Sequence, residues 1–277
     1  MSAYLDWLWA GFKLYTTALS LMAVYFGSKR FMRHWKYRHL KRVWGMRDKD
    51  EVVVLCSELE DPEQRQWVEP REFIYLMKYG DADAYLEVMG TLVRIYPNID
   101  IKVLSSGDLQ RVQVDLSKHI ILIGGPDYNE MTRRILRERR TRIDYYSPFI
   151  DCPDSANPEE IIIYDRRSDR KFFCGETDRD YGYFERIQNP YSPKHKIILI
   201  GGCHTVGVTA AAKAFSAFAG GQREFSETVA HNARKITKKV PKGASFAVLV
   251  EAQKVGVNVN TPEITDSDVL FEPGIVV

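Results

Sequence analysis

The string HIILIGGP at residues 119–126 returns as KIILIGGC at residues 196–203, an offset of 77. Each copy is a continuous β-branched and leucine run that ends in two glycines. Strands covered by helices on both faces read this way, as parallel strands do. Three further runs share the character: EVVVLC at 51–56, IDIKVL at 99–104 and FAVLV at 246–250. Between them, Ala82 to Ile95, Asn129 to Arg139, Val206 to Ala219 and roughly Glu224 to Lys239 have helical composition, with Pro97 and Gly220-Gly221 as stop signals. Alternating strands and helices predict an α/β domain over 48–277, built on a doubly wound, mostly parallel sheet.

Both diglycine tips lead straight into a helix, DYNEMTRRIL after the first and HTVGVTAAAKAF after the second. Glycine there permits φ > 0 and close backbone approach, while a helix N-terminus offers unpaired N–H groups to an anion. Two such corners side by side form the crevice where open α/β sheets bind nucleotides. Gly124, Gly125 and Asp127 at the first corner, with Gly201, Gly202, His204, Thr205 and Gly207 at the second, are therefore the candidate ligand-binding residues. The second corner is not the dinucleotide GxGxxG and lacks the lysine of a P-loop. The plainer alternative is a strand-turn-helix corner that uses glycine for geometry alone.

Residues 159–189 interrupt the pattern. EIIIYD and RKFFC, joined through Arg167-Ser168-Asp169, predict an antiparallel hairpin; YFERIQN follows as a strand beside the sheet or extending its edge. Arg166, Arg167, Arg170, Arg179 and Arg186 crowd this insertion among Asp165, Asp169, Asp178 and Asp180. Mixed signs suit a solvated face. Arginine forks also suit phosphate, and Tyr181, Tyr183 and Phe184 could stack a base.

The net charge of +2, from 39 basic and 37 acidic side chains, conceals a division after Arg47. Residues 1–47 hold nine Lys/Arg against Asp6, or +8, which leaves 30 against 36, or −6, for the rest. Trp7 to Gly27 carries one formal charge, Lys13, and as a helix covers about 32 Å, close to the thickness of a bilayer core. Lys29, Arg30, Arg33, Lys36, Arg38, Lys41, Arg42 and Arg47 follow it. The expectation is a transmembrane helix with a basic juxtamembrane segment over 1–47, a single-pass membrane protein with its N-terminus out and a cytoplasmic 48–277 domain, and the lipid bilayer as a partner. A buried core helix is the alternative. Phe31, Met32, Trp35, Leu40, Val43 and Trp44 form a rough apolar stripe along the basic stretch. Nucleic acid is not an expected partner, because the apolar run adjoins the basic one.

At 45% hydrophobic and 27% charged, the chain is neither disordered nor a disulfide miniature. Cys56, Cys152, Cys174 and Cys203 lack CxxC spacing and read as free thiols. His34, His39, His119, His195, His204 and His231 offer no zinc spacing, so no metal and no cofactor are expected. His204 before a helix, and Glu58 and Glu251 after strands, are the candidate catalytic groups; Glu60 accompanies Glu58. A carboxylate there could stabilise a ribosyl cation.

Asp180-Tyr181-Gly182, Asn189-Pro190-Tyr191, Gly201-Gly202, Gly207 and Ala210-Ala211 form a D-Y-G…N-P-Y…G…G-x-x-A-A pattern. It resembles Rossmann-like domains of surface-layer-type proteins and of bacterial immune and signalling proteins, in which related folds sense or process nucleotides. The resemblance implies a ligand-binding or interaction domain more readily than an enzyme. The reading it supports is a membrane-anchored sensor or effector that binds a nucleotide-like ligand or a partner and couples it to homo-oligomerisation, as in antiviral defence signalling. The alternatives are a nucleotide or NAD-type hydrolase and a self-assembling scaffold.

Overall fold

The computed structural model describes residues 2–58, 79–110, 113–138, 140–147, 161–168, 170–173, 179–218, 226–255 and 258–271. Glu60, Asp169, Asp178, Cys152 and Cys174 lie outside these. The chain divides into two units, Met1–His39 and Leu40–Val277.

The described residues of the first unit are helical and belong to α1, Ser2–Trp44. Trp7, Trp9, Leu14, Leu21 and Val24 are exposed along it. Among the described residues no helix is long and apolar enough to cross a membrane, which overturns the expected transmembrane segment. Length is not what fails, since α1 has 43 residues. Apolarity fails: Lys13, Thr16, Thr17 and Ser20 interrupt the run, and the three hydroxyls turn back onto carbonyls of their own helix. The single-pass localisation, with its N-terminus out, had only this helix as its span and is withdrawn with it.

In the second unit the basic-aromatic stripe changes character. Leu40, Val43 and Trp44 are buried, and the Trp44 indole donates to the Phe215 carbonyl at 3.0 Å. Gly45, at φ +72°, ends α1 in the left-handed conformation that a side chain resists.

The main sheet holds β1 (Glu51–Cys56), β2 (Asp100–Ser105), β3 (His119–Ile123), β7 (Arg179–Gln188), β8 (Lys196–Gly202), β9 (Phe246–Val255), β10 (Asn258–Val259) and β11 (Val269–Leu270). Its order is β10-β9-β7-β8-β3-β1-β2, with β11 also on β9. β2, β1, β3 and β8 run parallel. β7 is antiparallel to β8 and β9, and β10 and β11 are antiparallel to β9. The mostly parallel, doubly wound sheet is thus corrected to a mixed one. The segment expected beside the sheet or extending its edge, β7, lies within the sheet between β8 and β9 and reverses the direction there. A second sheet, β4 (Ile143–Tyr146), β5 (Ile162–Asp165) and β6 (Lys171–Phe173), is antiparallel and contains the expected hairpin.

Alternation along the strands builds two cores. Val53, Leu55, Ile120, Leu122, Leu199, Tyr183 and Leu249 pack with the small sheet's Ile143 and Ile163 and with Met131 and Ile135 of α3 (Glu130–Arg137). On the opposite side, Phe184 meets Trp44, Phe215 and Phe246 at ring-centroid separations of 5.5, 4.8 and 6.2 Å. There α2 (Tyr79–Ile95) packs on α4 (Thr205–Lys213), which lies over β7, β8 and β9. α5 (Glu227–Lys239) buries Val229, Ala233 and Ile236.

Candidate functional site

The repeated strings are neighbours. β3 and β8 pair in parallel, with Ile120 opposite Ile197 and Ile123 opposite Ile200. Past the paired residues, the Gly124 N–H donates to the Ile200 carbonyl at 2.9 Å, so the diglycine tips adjoin at the carboxyl edge. Gly124 has φ +101°, and a Cβ there would fall 2.9 Å from Asp81 Oδ2 and Ser57 Cβ. At Gly202 a Cβ would fall 2.5 Å from the Val208 nitrogen, and at Gly125 it would touch the Tyr145 hydroxyl at 3.4 Å. The space that the glycines leave is filled by the chain's own atoms.

Both helix N-termini behind the tips have acceptors of their own. Asn129 Oδ1 accepts from the Thr132 N–H at 3.1 Å, and its Nδ2 donates to the carbonyls of Leu55 and Ile123. At α4, the Asp180 carboxylate accepts from the backbone N–H groups of Gly207 (2.5 Å), Tyr181 (2.8 Å) and His204 (3.1 Å). A carboxylate from β7 therefore stands where an anionic ligand was expected. Burial raises the Asp180 pKa above the ordinary carboxylate value, against the lowering effect of those N–H donors.

The sequence-derived candidates thus have definite places. Gly201, Gly202 and Gly207 are buried, and His204 and Thr205 are half-buried. The Thr205 carbonyl lies against Gly80 at the start of α2. Asp127 Oδ2 accepts from the Tyr145 hydroxyl at 3.1 Å. Asp127 Oδ1 and the Tyr183 hydroxyl are buried without a hydrogen-bond partner among the described residues. Burial, then the nearby Asp127 charge, raises the Tyr145 pKa well above its usual value.

The two candidate catalytic glutamates do not converge. Glu58 Oε2 accepts from Ser105 Oγ at 2.7 Å and from the Gly107 N–H at 3.0 Å. Glu251 is on β9, where it pairs with Arg179 at 3.4 Å. Between β1 and β9 stand β3, β8 and β7, a separation of about 19 Å at ordinary strand spacing.

A cavity of about 600 Å³ opens instead beside β6, β7 and β9. Tyr181 and Phe172 form its aromatic wall, with ring centroids 5.5 Å apart and planes inclined by 59°. The Arg170 guanidinium lies 5.1 Å over Phe172, and Glu251 and Gln253 line the β9 side. Asn260, Thr261 and the segment 262–265 close it. Sequence reasoning singled out Arg170, Tyr181 and Glu251 separately but missed Phe172 and the 260–265 wall. The alternation of β7, which sets Arg179, Tyr181 and Tyr183 on one face, is the signal that could have assembled the set.

The class defined here is an α/β domain with a mixed sheet, a self-capped diglycine crest and a neighbouring aromatic-arginine cavity. The chain matches no family model, no curated protein and no solved structure.

Proposed function

We propose that this chain is a ligand-binding sensor domain that takes a nucleotide-like molecule in the cavity beside β6, β7 and β9 and answers by self-association. The observation that carries the reading is the convergence of Tyr181, Phe172 and Arg170 on one recess. Its volume falls within the range of about 300–1,000 Å³ of small-molecule sites. An aromatic wall suits a base, and a guanidinium beside it suits phosphate. The crest contributes support rather than contacts, because Asp180 takes the His204 and Gly207 N–H groups and Asn129 takes that of Thr132.

Calorimetric titration of the full chain with mono-, di- and cyclic nucleotides tests this. Saturable heat from at least one class, weakened tenfold or more in Arg170→Gln, is the expected outcome. A folded sample that gives no heat with any class refutes it. Hydrolysis is the second reading, favoured by Glu251 being the one candidate catalytic group that lines the cavity. It requires product in chromatograms of incubated nucleotide, lost in Glu251→Gln with folding intact.

A further inference from the structure

The outer side of α5 carries a second recess that shares none of the cavity's residues. Its buried face uses Val229, Asn232, Ala233, Ile236 and Thr237. The opposite side presents His231, Arg234, Lys235, Lys238 and Lys239 around a groove of about 440 Å³, with Asp266 across it. Arg234 with Lys238, and Lys235 with Lys239, are like charges at i, i+4 spacing, which costs the isolated helix a few tenths of a kcal/mol per pair. The helix dipole compensates Lys238 and Lys239 in the last turn. It does not compensate Arg234 and Lys235 a turn earlier.

Within α5 no acid follows Glu227, so the cations on this side are not interspersed with carboxylates of their own helix. None of the four cations has a carboxylate within ion-pair distance among the described residues, whereas Glu263 is matched to His231 at 3.6 Å. Three of them are held by backbone carbonyls instead. Lys235 Nζ donates to Ile264 at 2.7 Å, Lys239 Nζ to Asp266 and Val269 at 2.7 and 2.8 Å, and Arg234 Nε to Ala230 at 3.1 Å. Such bonds fix the side chains without neutralising them. Among the described residues, two N–H groups of the Lys235 ammonium and one of Lys239 remain unused, since an ammonium has three. The cost of ordering flexible cations on a ligand is thereby already met.

From Arg234 to Lys239 the helix rises about 7.5 Å, comparable with the span of two or three linked phosphates. We propose that the α5 groove binds a phosphate chain of the di- or triphosphate class, as a site distinct from the aromatic cavity. The probe is inorganic triphosphate, titrated into the full chain at fixed ionic strength, with orthophosphate and sulfate as comparators. Triphosphate binding at least tenfold tighter than sulfate is expected. A tenfold or greater loss is expected in the exposed pair Arg234→Gln/Lys238→Gln at unchanged melting temperature, and none in Lys254→Gln. Lys238→Gln alone provides an intermediate loss if the pair fails to fold. Equal affinity for sulfate and triphosphate, or undiminished binding in the α5 variants, overturns the proposal. Loss of triphosphate binding in the α5 variants, which leave Arg170 and the cavity untouched, separates this result from the entry of nucleotides into the cavity.

Discussion

Asp180 and Glu185 are buried carboxylates on the same strand, and each holds backbone N–H groups from another element. Asp180 fastens the start of α4, so Asp180→Ala is expected to cost about 2 kcal/mol in urea unfolding, with Asp180→Asn retaining part of it. Glu185 accepts from the N–H groups of Arg142 and Ile143, at 2.5 and 3.2 Å, and so ties the small sheet to the large one. Burial pushes its pKa from 4.5 up to about 8, with those N–H groups pulling the other way. Between these values the folded chain holds a proton that the unfolded chain has released, so stability falls as pH rises through the window. His119 has the opposite sign. Burial pushes its pKa from 6.5 down to about 4, although the Asp50 carboxylate 3.0 Å from its ring pulls upward, so its contribution is lost as pH falls from 6.5 towards 4. The two slopes oppose below 6.5, and the Glu185 slope stands alone above it. Glu185→Gln is expected to flatten the decline in unfolding free energy between pH 6.5 and 8, by up to about 1.4 kcal/mol per pH unit. Parallel curves for the variant and the natural chain would show that the carboxyl is ionised throughout.

At the scale of elements, α4 docks through backbone: a Cβ at Gly182 on β7 would fall 2.0 Å from the Gly207 carbonyl oxygen. Gly182→Ala therefore has to push the helix off the sheet, at a cost of about 3 kcal/mol or more, read as a lowered urea midpoint. The C-terminal end of α1 is clamped by Arg186, which is buried and donates to the carbonyls of Arg42, Val43 and Ala244. Its guanidinium also lies 4.7 Å over Phe246. Arg186→Met leaves three carbonyls short of a donor, with an expected loss of about 3 kcal/mol in the same measurement. Glu185 and Arg186 also explain what the sequence concealed. EVVVLC and both IILI runs are legible because uninterrupted apolar residues admit one reading. YFERIQN looks like an edge because it carries Glu and Arg, and only tertiary partners, N–H groups for one and carbonyls for the other, let them lie in the middle of a sheet. The helix expected to reach Ala219 stops at Lys213 for a similar reason. Asn232 takes the Ala214 carbonyl at 3.0 Å and Thr91 accepts from the Ala217 N–H at 2.8 Å, replacing helical bonds with distant ones.

For the whole molecule, the repeated diglycine string correctly indicated two adjoining strand ends, because equal strings in parallel register meet tip to tip. What occupies those tips was not legible. Asp180 reaches α4 only because β7 lies beside β8, and no local pattern announces that neighbour. The N-terminal run misled for a different reason: its length matched a bilayer while Lys13 and a group of hydroxyl-bearing residues diluted its apolarity. If the sensor reading holds, a nucleotide that produces heat also raises the mass measured by light scattering on the full chain. An unchanged mass at saturation removes self-association as the output. The segment 262–268 has a further consequence. From one side Lys235 and Lys239 grip its Ile264 and Asp266 carbonyls, and on the other Ile264, Thr265 and Asp268 face the 600 Å³ cavity. It is a party wall between two recesses, so if each takes the ligand proposed for it, an occupant that shifted the lysines on one side would alter the lining on the other.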